Sequence, residues 1–94
     1  MLSEGAIVII NGRTSTSVEA AINRLEQAFP NETITGISAD FSKQNEVNSL
    51  LENLPKTDIL INNVGVYSSG SFFKTEDAEW YRQFEVNVMS GVRL

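Results

Sequence analysis

Three observations predict an open α/β fold with a parallel sheet. Continuous apolar, β-branched runs alternate with stretches of helical periodicity in the order β-α-β-α-β-α, and the runs lack the apolar–polar alternation of a half-solvated antiparallel sheet. The first two helical stretches each sit between two strand candidates, which is the arrangement of right-handed crossovers. The chain is 94 residues long and 41% apolar, enough for one small domain built around one core.

Taken in order, Ala6-Ile7-Val8-Ile9-Ile10 closes on Asn11-Gly12 and reads as a strand buried on both faces. Thr16 with Glu19 three residues on has the form of a capping box. Val18, Ala21, Ile22, Leu25 and Ala28 then recur at helical spacing up to Pro30, so a helix is predicted over 17–29. Residues 33–39 form a second strand, ending at Asp40-Phe41. Ser42 offers an N-cap for a helix whose apolar stripe is Val47, Leu50, Leu51 and Leu54, stopped by Pro55. A third buried strand is predicted over 58–62. Residues 63–74 are rich in Gly, Ser and Asn and read as a loop. Thr75 then caps a last helix with Glu76, Asp77 and Glu79 in its first turn, the sign that the helix dipole favours, and Trp80, Tyr81, Phe84, Val88 and Val92 on its apolar face. At the start, residues 1–5 read as the last turn of a helix with Gly5 as its left-handed cap. At the other end, Leu94 falls inside a helical pattern with no stop signal. The chain is therefore expected to be a single partial domain, truncated at both ends.

Composition excludes several chemistries. Seven basic against twelve acidic residues give a net charge of −5, which disfavours nucleic acid and anionic membrane surfaces as partners. With neither Cys nor His, the chain can build no disulfide, thiolate nucleophile, His-ligated zinc site or Ser-His-Asp triad. Its apolar runs are too short to span a bilayer and its N-terminus has no signal-peptide pattern, so a cytoplasmic location is expected.

In an open α/β sheet the ligand lies beyond the carboxyl ends of the strands. The residues there are Asn11-Gly12-Arg13, Asp40-Phe41 and Asn62-Asn63-Val64-Gly65. Taken alone, the first group reads as a turn with a solvated Arg, and Asp40 as a helix-capping acid. The Asn pair says more: two amides at the end of an apolar strand need hydrogen-bond partners, and Gly65 lets the backbone come close to a ligand.

Four pieces in this order carry a family likeness: Glu4-Gly5-Ala6 leading into Val8-Ile9-Ile10-Asn11-Gly12-Arg13, then Ala39-Asp40-Phe41, then Asp58-Ile59-Leu60-Ile61-Asn62-Asn63-Val64-Gly65, then Phe84-Glu85-Val86-Asn87. Together they resemble the short-chain dehydrogenase/reductase family over essentially the whole chain, which implies a Rossmann-type doubly wound sheet. The family's usual NNAG is NNVG here. The resemblance implies an NADP-dependent oxidoreductase acting on a carbonyl or alcohol substrate. Asn11, Gly12 and Arg13 then form the turn that meets the 2′-phosphate, with Arg13 as the basic residue that selects NADP over NAD. Asp40 and Phe41 flank the adenine, and Asn63, Val64 and Gly65 line the adenosine ribose. Asn62 helps tie the strands together, and Asn87 is the helix Asn whose backbone holds a water in the proton relay.

Two of the family's motifs are absent. The six glycines never fall in TGxxxGxG spacing, and neither Tyr67 nor Tyr81 is followed four residues later by Lys. The chain by itself is therefore expected to be inactive and to bind NADP weakly or not at all. In the family's strand order, the missing first strand lies between the strands at 6–10 and 58–62. Both of these are apolar and unguarded, so self-association into a homo-oligomer is expected, with the last helix as a second adhesive face. The alternative is a non-enzymatic interaction or oligomerisation module.

Overall fold

The computed structural model describes residues 1–94 and divides into two compact units, Met1–Asp40 and Phe41–Leu94. In the first unit, a 3₁₀ turn at Leu2–Glu4 ends at Gly5, whose φ of 78° is the left-handed cap read from the sequence. Strand β1 (Val8–Gly12) leads into helix α1 (Ser15–Ala28), and strand β2 (Ile34–Ser38) returns parallel to β1, with Val8 opposite Ile34 and Gly12 opposite Ser38. The β-α-β crossover is thus present as predicted, with each element shifted by one to two residues.

Two details of this unit differ from expectation. Helix α1 is capped by Thr14 rather than by the Thr16–Glu19 box: the Ser17 amide donates to Thr14 Oγ1 at 3.2 Å, and Ser17 Oγ donates to the Thr14 carbonyl at 2.8 Å. The earlier residue wins because it stands in extended backbone immediately before the helix, which the cap geometry requires. Strand β1 is half-buried rather than buried on both faces, and Ile7 lies outside it with 77% of its surface exposed. The sheet has two strands, so β1 has a neighbour along one edge only.

Val18 of α1 and Ile34 of β2 are buried, and α1 packs closely on β2 at Gly36. Gly36 makes that approach possible: a Cβ there would stand 2.3 Å from Val18 Cγ1 and 3.0 Å from Ile22 Cδ1.

In the second unit, helix α2 (Gln44–Asn53) buries Val47 and Leu50 and ends before Pro55; it is preceded by Lys43 rather than capped by Ser42. The third predicted strand does not form. Residues 58–62 make no ladder, and Ile59, Leu60 and Ile61 are 65%, 58% and 66% exposed. An apolar run becomes a strand only by pairing its amides with a neighbour, and this segment has no such neighbour.

After a 3₁₀ turn at Phe72–Lys74 comes α3 (Asp77–Phe84), a π-helical turn over Glu85–Met89, and α4 (Ser90–Arg93). The Ser90 amide donates to the carbonyl of Glu85, five residues back, and its hydroxyl donates to the Val86 carbonyl at 2.5 Å. Thr75 does not cap α3; its hydroxyl donates to the Ser71 carbonyl at 2.8 Å and closes the preceding turn.

Candidate functional site

In the first unit, the expected site residues gather at the carboxyl ends of the two parallel strands. Asn11 is exposed, and its Nδ2 donates to the Ile37 carbonyl at 2.8 Å, which fastens the end of β1 to β2. Gly12 accepts the Ala39 amide at 3.0 Å, extending the pairing one step beyond the ladder and drawing the start of Ala39-Asp40 against the β1 end. A Cβ at Gly12 would meet Val18 Cγ2 at 3.0 Å and Ser17 Oγ at 3.1 Å, so the first turn of α1 sits directly over this residue. Arg13 projects from the same corner, exposed and without a hydrogen bond or ion pair, while Asp40 is half-buried. This corner sets an unpaired guanidinium beside a helix N-terminus, the local charge pattern that suits a phosphate group.

In the second unit, Phe41 is buried, whereas Asn62, Asn63, Gly65 and Asn87 are exposed and Val64 is half-buried. Asn87, in the π-helical turn, grips the backbone of the NNVG segment. The Val66 amide donates to Asn87 Oδ1 at 2.7 Å, and Asn87 Nδ2 donates to the Val66 carbonyl at 2.9 Å. One side-chain amide thereby replaces a residue of a β-ladder. Gly65 lies under the same side chain, where an added Cβ would stand 3.5 Å from Asn87 Oδ1. Asn62 ties no strands together in this structure; its amide lies over Gly91, where an added Cβ would come within 2.9 Å of Asn62 Nδ2.

A polar cluster that sequence reasoning missed adjoins this segment. The Glu79 carboxylate accepts from Arg82 Nε at 2.7 Å, Arg82 Nη2 at 2.8 Å, Gln83 Nε2 at 3.0 Å and Ser68 Oγ. These donors, Arg82 first, then Ser68 and Gln83, hold the Glu79 carboxyl down from 4.5 to about 2 and raise Arg82 in turn. The signal in the sequence was the spacing of Glu79, Gln83 and Asn87, four residues apart along the last helical stretch. An open depression beside this cluster is lined by Ser68, Gly70, Phe72, Thr75 and Trp80 and includes none of the expected site residues. Phe72 packs edge-on against Trp80 with ring centroids 5.7 Å apart.

The model of the short chain dehydrogenase family matches residues 1–94. The chain belongs to the short-chain dehydrogenase family. It is 39% identical over 94 residues to the uncharacterized oxidoreductase YvaG of Bacillus subtilis (strain 168), covering 100% of this chain and 36% of that protein. To the uncharacterized oxidoreductase YvrD of the same organism it is 41% identical over 95 residues, covering 98% of this chain and 35% of that protein.

Among solved structures, a short chain dehydrogenase/reductase family protein superposes with a TM-score of 0.84 at 30% identity, covering 97% of this chain and 37% of that one. L-sorbose reductase from Gluconobacter frateurii, solved with NADPH and L-sorbose, superposes with a TM-score of 0.82 at 26% identity, covering 97% and 36%. The chain thus spans a little over a third of the relatives it matches. Its α/β layout with a parallel strand pair is the corresponding part of their Rossmann-type fold. No helix in it is long and apolar enough to cross a membrane.

Proposed function

We propose that this chain is the cofactor-side segment of an NADP-dependent short-chain dehydrogenase/reductase that interconverts an alcohol and a carbonyl compound. The observation that carries the reading is Arg13: it follows Gly12 at the carboxyl end of β1, is exposed, and has no internal partner. The residues present fit a 2′-phosphorylated nucleotide. The guanidinium offers a charge-assisted fork, and Gly12 lets the first turn of α1 pack directly over the end of β1 beside it. Asp40 and Phe41 would flank the adenine, and Asn63, Val64 and Gly65 the adenosine ribose. Asn11 would stiffen the phosphate corner through its bond to Ile37, and Asn62 would anchor the end of the segment that carries the ribose contacts. Bound NADP(H) supplies the hydride; the residues of this chain bind and orient it. Asn87 has its side chain committed to Val66, and its backbone would hold the water of a proton relay.

The support from relatives is the NADPH complex of L-sorbose reductase. Replacing Arg13 by Ala in the protein that contains this segment should reduce the preference for NADP over NAD by roughly tenfold to a hundredfold, the worth of a hydrogen bond to a charged group. An unchanged ratio of kcat/KM values for the two cofactors would remove Arg13 from the site. Self-association is a second reading, favoured by the exposure of Ile59, Leu60 and Ile61 and of Trp80, Tyr81, Phe84 and Val88. Light scattering at 10.4 kDa with no larger species would overturn it. A cytoplasmic location agrees with both readings.

A further inference from the structure

Four contacts join residues 62–68 to a set of residues on the last helical stretch. Gly91 meets Asn62, Asn87 holds Val66, and Gln83 and Glu79 together hold Ser68, the Gln83 Nε2 to Ser68 Oγ distance being 3.0 Å. The helical partners are spaced by four, and they are met in reverse order along the segment. Twelve residues of helix rise about 18 Å, and six residues of chain reach about 20–22 Å at full extension, so the segment is long enough to run from Gly91 to Glu79.

In a regular α-helix, a stripe spaced by four drifts about 40° at each step and would turn away from the segment by about 120° over three steps. The π-helical turn at Glu85–Met89 falls inside the stripe, and its wider winding draws Asn87 and Gly91 back into line. The extra residue in that turn therefore keeps one face of the helix under the whole segment.

We propose that Glu79 is a positioning residue: with Gln83, Asn87 and Gly91 it forms a polar rail that fixes the course of residues 62–68 and so sets where Asn63 and Gly65 stand. Glu79 touches no ligand in this scheme and acts through Ser68. Its functional meaning rests on the reading of Asn63 and Gly65 as cofactor contacts. The rail itself does not, because it can be read without any nucleotide.

The test uses the Val66 amide, which Asn87 protects, as a reporter two helical turns away from Glu79. Amide exchange is followed by NMR in the 94-residue chain, its E79A variant and its E79Q variant. E79A is expected to speed exchange at Val66 by roughly three- to fivefold, with the amides of α2 unchanged. E79Q, which keeps an oxygen for Ser68, should restore most of the protection. Unchanged exchange at Val66 in E79A would overturn the proposal, because a merely local role at Ser68 would leave that reporter untouched.

If E79A unfolds, the register is read by cross-linking, which is clean in a chain without cysteine. S68C/Q83C should close a disulfide under oxidised glutathione several-fold faster than S69C/Q83C. Equal rates would refute the rail. A failed NADP titration would leave both outcomes as they stand, and a failed rail would leave Arg13 as it stands.

Discussion

Residues 8–12 and 58–62 carry the same sequence signal and meet different fates. Both are short apolar runs closed by an Asn, Asn11 and Asn62, yet the first pairs residue by residue with Ile34–Ser38, while the second makes no ladder and leaves three large side chains more than half exposed. The difference lies in the partner. The β1-α1-β2 unit brings its own second strand back through one crossover and satisfies the facing amides of both strands. The segment at 58–62 has no such strand beside it, and the ladder-like pair of hydrogen bonds that a helix side chain, Asn87, supplies comes only farther on, at Val66. An apolar run thus specifies a preference for burial, and the pairing geometry decides whether burial takes the form of a strand.

The largest effect that sharpens this contrast is in amide exchange. The Val8 and Ala39 amides, bonded to Thr33 and Gly12, should exchange at rates set by opening of the whole first unit, whereas Ile59, Leu60 and Ile61 should exchange at nearly unprotected rates. Comparable protection at the two sites, measured by NMR, would show that 58–62 has found a strand partner in solution.

Core substitutions come next. Leu50→Ala, at a site 4% exposed in α2, should cost about 2–5 kcal/mol in urea unfolding, a large share of the stability of so small a domain. In the first unit, Gly36→Val should cost about 1–3 kcal/mol, because even its Cβ would collide with the stiff, β-branched Val18. Thr14→Ala, which removes the α1 cap, should cost about 1 kcal/mol and be visible as faster exchange at the Ser17 amide.

The first unit was largely legible because its signals are local. A β-branched run, a helix stripe and a second apolar run suffice for a crossover, and only the choice between Thr14 and Thr16 as cap required backbone geometry. The second unit was less legible because its structure depends on contacts distant in sequence. Nothing near 58–62 indicates whether a strand will lie beside it, and Ser42 and Thr75 look like caps until the chain takes another course. The candidate positions at Asn11 to Arg13 could be picked out because strand ends are easy to read, whereas Asn62 to Gly65 were picked out as the end of a strand that does not form. The Glu79 cluster was overlooked because an acid in a first helical turn is ordinarily explained by the helix dipole alone.

The smallest effect is electrostatic. The Glu79 carboxyl is depressed in the folded chain, so its contribution to stability is fully present above about pH 4.5 and is lost as the pH falls towards about 2. Its exposure to solvent keeps that contribution modest and sensitive to salt. Acid titration of the E79Q variant should lack this component, and identical acid unfolding of the two chains would contradict the assignment.

NADP and NAD titrated separately into the 15N-labelled 94-residue chain test the functional reading most directly. With no TGxxxGxG loop in the chain, binding should be weaker than about 1 mM, yet NADP should shift the Gly12 and Arg13 resonances where NAD does not, and R13A should abolish the difference. Equal shifts from the two cofactors, or shifts that avoid the Gly12–Arg13 corner, would contradict the assignment of this segment to NADP.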